Sequence, residues 1–73
     1  MLILLVNGVK ANTKECKLRH KGWQDISKAR RWLRAQVKAE KIYTVGPITA
    51  TTVDGDRLSL VEADSDRKVM WFN

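Results

Sequence analysis

The 73-residue sequence contains one cysteine, Cys16, and one proline, Pro47. A single cysteine excludes a disulfide within the chain, and no cysteine–histidine grouping has the spacing of a zinc site. We therefore expect no metal or other cofactor, and a lone thiol is typical of a reducing compartment such as the cytoplasm. The core of so small a domain is thin, so stability must come from close packing, self-association or a partner. A homodimer is compatible with this requirement.

Long apolar runs are also missing. Only residues 1–6 are continuously apolar, whereas a helix that spans a bilayer needs about 20 such residues. The run lacks the basic segment that begins a secretory signal, and the chain has neither repeats nor low-complexity tracts. A composition of 44% apolar and 30% charged residues is typical of a globular protein. We expect a single compact domain over residues 1–73, soluble and cytoplasmic, with no membrane partner.

The charge is distributed unevenly along the chain. The formal net charge is +6, and residues 10–41 contain 11 Lys or Arg against 3 acids. Residues 42–73 contain 3 Lys or Arg against 5 acids. The positive potential therefore originates in one region of the sequence, which predicts a basic face on the folded domain.

The N-terminal part of the sequence predicts a hairpin. The apolar run favours a strand that is buried on both faces, and Asn7-Gly8 is a strong two-residue turn signal. The strand that begins at Val9 then pairs back on the first. Residues 11–20 alternate poorly, and we interpret them as a loop with a short polar strand over residues 16–19.

The second half of the chain predicts further strands. Residues 42–53 are rich in β-branched side chains, Asp54-Gly55 is a second turn signal, and residues 64–66 form a third turn. Residues 67–72 form the last predicted strand, a candidate neighbour of the first. The fold class is α+β, with one amphipathic helix packed on a small, mostly antiparallel sheet in the order β(β)-α-β-β-β. A barrel-like sheet with a helical plug is the alternative.

The helix is predicted to begin at Asp25 or Ser27, which both suit an N-cap, and to end near Lys41. At about 100° per residue the apolar positions share one stripe and the cations share a flank. No acid occurs between Ser27 and Ala39, so like charges four residues apart repel without compensation. Phosphates would relieve this repulsion. The predicted core stripe is Ile26, Ala29, Leu33 and Val37, and the predicted cationic flank is Arg30, Arg31, Arg34, Lys38 and Lys41.

The segment before the helix extends the predicted basic surface. Arg19, Lys21 and Trp23 combine cations with an aromatic ring, which suits stacking on a base beside a phosphate contact. The first hypothesis is a small non-enzymatic protein that binds DNA or RNA. Five neutralised phosphates imply a slope of roughly −4 to −5 in log affinity against log salt on duplex DNA.

Two other functions compete with this hypothesis. The second is a regulator or inhibitor, of the kind that phages and mobile elements encode, which docks on an acidic protein surface. Trp32 lies beside the predicted core stripe and would anchor that contact, because aromatic residues dominate binding hot spots. The third is a metal-free, ribonuclease-like toxin in which His20 acts as general acid or base, although no second catalytic group has a legible spacing.

Overall fold

The computed structural model describes residues 1–11 and 20–71. Within them the chain forms one helix and six strands, which confirms the predicted α+β class. The predicted polar strand over residues 16–19 lies outside the described residues. The elements are β1 (Leu2–Val6), β2 (Val9–Lys10), α1 (Ile26–Lys38), β3 (Ile42–Val45), β4 (Thr49–Thr52), β5 (Arg57–Glu62) and β6 (Lys68–Val69).

The first two strands form the predicted hairpin. β1 and β2 are antiparallel and pair Val6 with Val9, while Asn7 and Gly8 form the turn at φ 53° and 85°. These two residue types tolerate positive φ better than others, which explains why the Asn-Gly pair marks the turn. The Asp54-Gly55 turn between β4 and β5 is confirmed in the same way, with Gly55 at φ 90°.

The sheet has the order β2-β1-β5-β4-β3, and β6 pairs with β5 in line with β4. Every strand pair is antiparallel. The prediction that the first and last strands are neighbours is wrong, because β5 pairs with β1 on one side and with β4 and β6 on the other. No pairing among the described residues joins β2 to β3, so the described strands form an open sheet.

The last strand is shorter than predicted and covers only Lys68–Val69. The chain leaves the sheet at this point because the Trp71 side chain, which is fully buried, enters the core. The backbone N–H of Trp71 donates to the carbonyl of Pro47 at 2.7 Å, a contact with the loop between β3 and β4. Residues 42–53, which the sequence leaves as one β-rich region, form two strands on either side of that loop.

Capping hydrogen bonds define both ends of α1. The Asp25 carboxylate accepts the Lys28 N–H at 3.0 Å, so Asp25 is the N-cap. At the other end, the N–H groups of Glu40 and Lys41 donate to Val37 and Gln36 in a Schellman motif. Glu40 has φ 61° there, which ends the helix three residues before the predicted boundary.

The core lies between α1 and one face of the sheet. Leu4, Leu33, Leu58 and Leu60 are fully buried in it. The predicted helix stripe is correct for Ala29 and Leu33 and wrong for Val37, which is 43% exposed. The half-buried Trp32 and Gln36 show the reason, because the buried stripe is rotated toward the Trp32 side of the helix.

Candidate nucleic-acid interface

The basic flank of α1 consists of Lys28, Arg31, Arg34 and Lys38, which are all exposed. A helix turns about 100° per residue, so these four positions share one solvent-facing sector of roughly 120°. Three of them belong to the predicted site. Lys28 was missed, although its spacing of three residues from Arg31 is the signal that would have found it.

Arg30 has a different role from the one predicted. It is half-buried, and its Nε–H donates to the backbone carbonyl of Trp71. The guanidinium group therefore ties the helix to the C-terminal segment of the fold. Within the predicted cationic flank, Arg30 therefore has a structural role, whereas Arg34 and Lys38 are exposed.

The remaining predicted cations lie around the helix. Lys41 is exposed and follows the helix end, immediately before β3. Lys21 is exposed in the segment that leads to α1. Arg19 lies outside the described residues. The structure therefore brings Arg31, Arg34 and Lys38 together on α1, and Lys41 follows Lys38 by three residues.

The two aromatic residues of the predicted site are not surface residues. Trp23 is 7% exposed, and its ring stacks on His20 with centroids 3.9 Å apart. Trp32 is half-buried, with its ring 5.4 Å from Trp23 and 6.4 Å from Trp71. These distances are typical of packed aromatic pairs. We name His20, Trp23, Trp32 and Trp71 the aromatic cluster. Trp23 and Trp32 pack inside this cluster, which corrects the prediction that Trp23 stacks on a base and that Trp32 anchors a partner.

His20 has an internal hydrogen bond as well as its stacked ring. The Gly22 N–H donates to His20 Nδ1 at 2.9 Å, so the neutral ring carries its proton on Nε2. Burial lowers the pKa of His20 below its ordinary value of 6.5. A neutral imidazole whose Nδ1 is already occupied is suited to holding the loop before α1 in place.

Three exposed cations of the helix, Lys28, Arg31 and Lys38, lack acidic partners in the part of the chain that the structure describes. Within residues 1–11 and 20–71, the Met1 ammonium group and Glu62 form an ion pair at 3.9 Å. In the same part of the chain Lys28, Arg31 and Lys38 form none. The repulsion between these like charges is therefore not relieved by carboxylates, which leaves them suited to an external anion.

The chain matches no protein-family model, no curated protein and no solved structure. Among the described residues, no group of three His, Cys, Asp or Glu side chains could hold a metal ion. Within residues 1–11 and 20–71 there is also no helix with the length and apolar character needed to cross a bilayer. The charge distribution on the folded surface is the feature on which a functional assignment depends.

Proposed function

We propose that this protein is a small, non-enzymatic nucleic-acid-binding protein that contacts phosphates through the basic flank of α1. The observation that carries the proposal is the exposure of Lys28, Arg31 and Lys38 on one side of a helix without carboxylate partners in the described part of the chain. Arginine offers a planar fork to two phosphate oxygens, and lysine offers a mobile point charge. Such contacts hold the nucleic-acid backbone without reading bases, so we expect little sequence specificity.

The structure changes the expected strength of this binding. The fully buried Trp71 fixes Arg30 through its carbonyl, which removes Arg30 from the predicted phosphate contacts. The four exposed cations of the basic flank imply a slope of roughly −3 to −4 in log affinity against log salt, which is shallower than the sequence predicts. Buried Trp23 and half-buried Trp32 add no stacking on bases, so binding is expected to be mainly electrostatic.

The test is a salt titration of binding to a labelled duplex DNA and to a labelled single-stranded RNA of mixed sequence. Each of Arg31→Gln and Lys38→Gln should reduce the magnitude of the salt slope by roughly 0.7–0.9, because one phosphate contact is lost. Arg67→Gln is the matched control, since it removes an exposed cation from the turn before β6. A salt-independent affinity, or an Arg67→Gln effect equal to the other two, would overturn the proposal.

A second candidate function is docking on an acidic protein surface, and the edge strand β3 favours it. Within residues 1–11 and 20–71, β3 pairs with β4 alone, and a bulge between Ile42 and Thr44 leaves Tyr43 78% exposed. The exposed Lys41 immediately precedes the strand, so an acidic extended segment would meet both an apolar side chain and a cation. Under this alternative Tyr43→Ala would abolish a nuclease-resistant complex, whereas Arg31→Gln would only slow its formation.

A further inference from the structure

The face of the sheet opposite α1 carries a polar groove of about 440 Å³. Its floor contains Ser59, which is 7% exposed, and the half-buried Thr49. Arg57 and Lys68 also line it. No sequence motif predicts this groove as a site, because its lining residues come from four different strands and from the turns at Asn7-Gly8 and Gly55.

Strand register explains how these side chains meet. Ser59 of β5 is opposite Leu5 of β1 and Thr49 of β4, so all three share a face. Arg57 lies two residues before Ser59 on that same face, because side chains alternate along a strand. Lys68 of β6 is opposite Val61, which lies two residues after Ser59. The Ser59 hydroxyl is therefore flanked along the strand by one cation on each side, each within roughly 7–9 Å at the backbone.

The groove is basic and its rim is held in place. No acidic side chain is among the described residues that line it, and Arg57 and Lys68 form no ion pair there. Asn7 fixes the backbone of Arg57, since the Arg57 N–H donates to Asn7 Oδ1 at 2.8 Å and the Asn7 N–H donates to the Arg57 carbonyl at 2.7 Å. The neighbouring Asp56 carboxylate accepts from Asn7 Nδ2 at 3.0 Å, which gives that carboxylate a partner other than Arg57.

A second depression shows that this combination is not general to the surface. The larger depression beside the start of α1, of about 600 Å³, is lined by Asp25 and Glu62 as well as by Arg30, Arg67 and Lys68. Its two carboxylates would repel a phosphate, which the groove on the opposite face would not do through any described side chain. The groove on the opposite face combines two cations with two hydroxyl donors and no described carboxylate.

We infer that the groove formed by Arg57, Ser59, Thr49 and Lys68 binds a phosphate group. A phosphate monoester carries close to two negative charges at neutral pH and has three acceptor oxygens, whereas a backbone phosphodiester carries a single charge and has two non-bridging oxygens. Arg57 supplies a forked donor, Lys68 a point charge, and the Ser59 and Thr49 hydroxyls supply neutral donors. The site is separate from the basic flank of α1, and it takes either a small phosphorylated molecule or a backbone phosphate of a nucleic acid.

The test is a titration with inorganic phosphate at constant ionic strength, followed by backbone amide chemical shifts. The amides of Thr49, Arg57 and Ser59 should shift and saturate, whereas chloride should not shift them. Arg57→Gln and Lys68→Gln should each weaken phosphate binding about tenfold, the usual effect of losing a hydrogen bond to a charged group. Ser59→Ala should weaken it less, and Arg67→Gln, whose side chain does not line the groove, should leave it unchanged. Equal shifts with chloride, or equal losses in Arg57→Gln and Arg67→Gln, would overturn the inference.

Two further titrants identify the source of the phosphate. Saturating shifts with a nucleoside monophosphate support a small ligand, and the same shifts with an oligonucleotide lacking terminal phosphates support backbone binding. If neither inorganic phosphate nor either of these titrants shifts the amides, the groove is not a phosphate site. The double variant Arg31→Gln/Lys38→Gln separates the two proposals, because it should weaken the helix-dependent binding of nucleic acid and leave the inorganic phosphate titration unchanged.

Discussion

The two sides of α1 differ in what surrounds them. On the side of Trp32, aromatic rings from three separate segments of the chain pack within 6.5 Å of one another, and Trp71 is completely buried. On the side of the basic flank, Lys28, Arg31 and Lys38 extend into solvent without ion pairs in the described part of the chain. One side of α1 thus packs against the rest of the fold, whereas Lys28, Arg31 and Lys38 on the other side are exposed to solvent. Substitutions on the two sides should therefore have opposite consequences for stability and for binding.

The largest loss of stability is expected when a ring is removed from the aromatic cluster. Trp71→Ala should lower the free energy of unfolding by about 3–5 kcal/mol, because it leaves a large cavity in a small core. Trp71→Phe should cost less, since Trp71 Nε1 has no hydrogen-bond partner among the described residues. Urea unfolding measures both. Tyr43→Ala is the control, because the Tyr43 side chain is 78% exposed. If Trp71→Ala lowered the free energy of unfolding no more than Tyr43→Ala does, the burial of Trp71 would be contradicted.

A backbone substitution tests how the aromatic cluster is held against β1. Leu2 and Trp23 exchange two backbone hydrogen bonds of 2.8 Å, and a Cβ at Gly22 would lie 2.7 Å from the Leu2 carbonyl oxygen. Gly22 also has φ 119°, so Gly22→Ala should lower the free energy of unfolding by about 2–3 kcal/mol. Gly55→Ala is a matched control at φ 90° with no atom near its Cβ. Equal losses in the two variants would show that the close approach at Gly22 is unimportant.

The pH dependence of stability is a smaller test of the same side. Burial lowers the pKa of His20, so the unfolded chain binds the proton before the folded chain does. The His20 contribution should be complete above pH 6.5 and should be lost as the pH falls from 6.5 through the folded-state pKa. Urea unfolding between pH 5 and 8 measures it.

Two variants test whether this pH dependence comes from His20. His20→Asn keeps an acceptor for the Gly22 N–H, because asparagine accepts from residue i+2 in an Asx-turn, and it removes the titrating group. His20→Phe keeps the stack on Trp23 and loses the acceptor. Both should flatten the stability profile below pH 6.5. An unchanged profile in both would assign the pH dependence to another group.

The smallest stability effect is expected on the basic flank. The double variant Arg31→Gln/Lys38→Gln should change the free energy of unfolding by no more than about 0.5 kcal/mol per site, since both side chains are exposed and form no ion pair. A small gain is expected at low salt, where repulsion between cations is strongest. A loss above about 1 kcal/mol would show that the basic flank supports the fold after all.

Local signals in the sequence predicted most of the secondary structure. Asn7-Gly8 and Asp54-Gly55 predicted two turns because few residue types adopt positive φ. Asp25 and Ser27 were both predicted as the N-cap, and Asp25 is the one whose carboxylate accepts a free N–H. The helix end was less predictable. Glu40 occupies a left-handed position that glycine usually takes, so no residue type marked the boundary.

The environment of each candidate site residue was predictable only in part. Helical periodicity correctly placed Arg31, Arg34 and Lys38 in solvent. It could not show that Trp32 packs against Trp71, or that Arg30 donates to the Trp71 carbonyl, because these partners are about 40 residues apart in the chain. The groove around Ser59 was missed for the same reason, since strand register across β1, β5, β4 and β6 brings its side chains together.

Residue types and spacings of a few residues were enough to predict the excess of positive charge, the amphipathic helix and the turns between most strands. Which cations stay in solvent, which aromatic rings are buried and which polar side chains share the sheet face opposite α1 became known from the fold alone. Those outcomes depend on contacts between segments that are distant in sequence. Packing and strand register decide which side chains are buried, whereas local propensity does not distinguish between them.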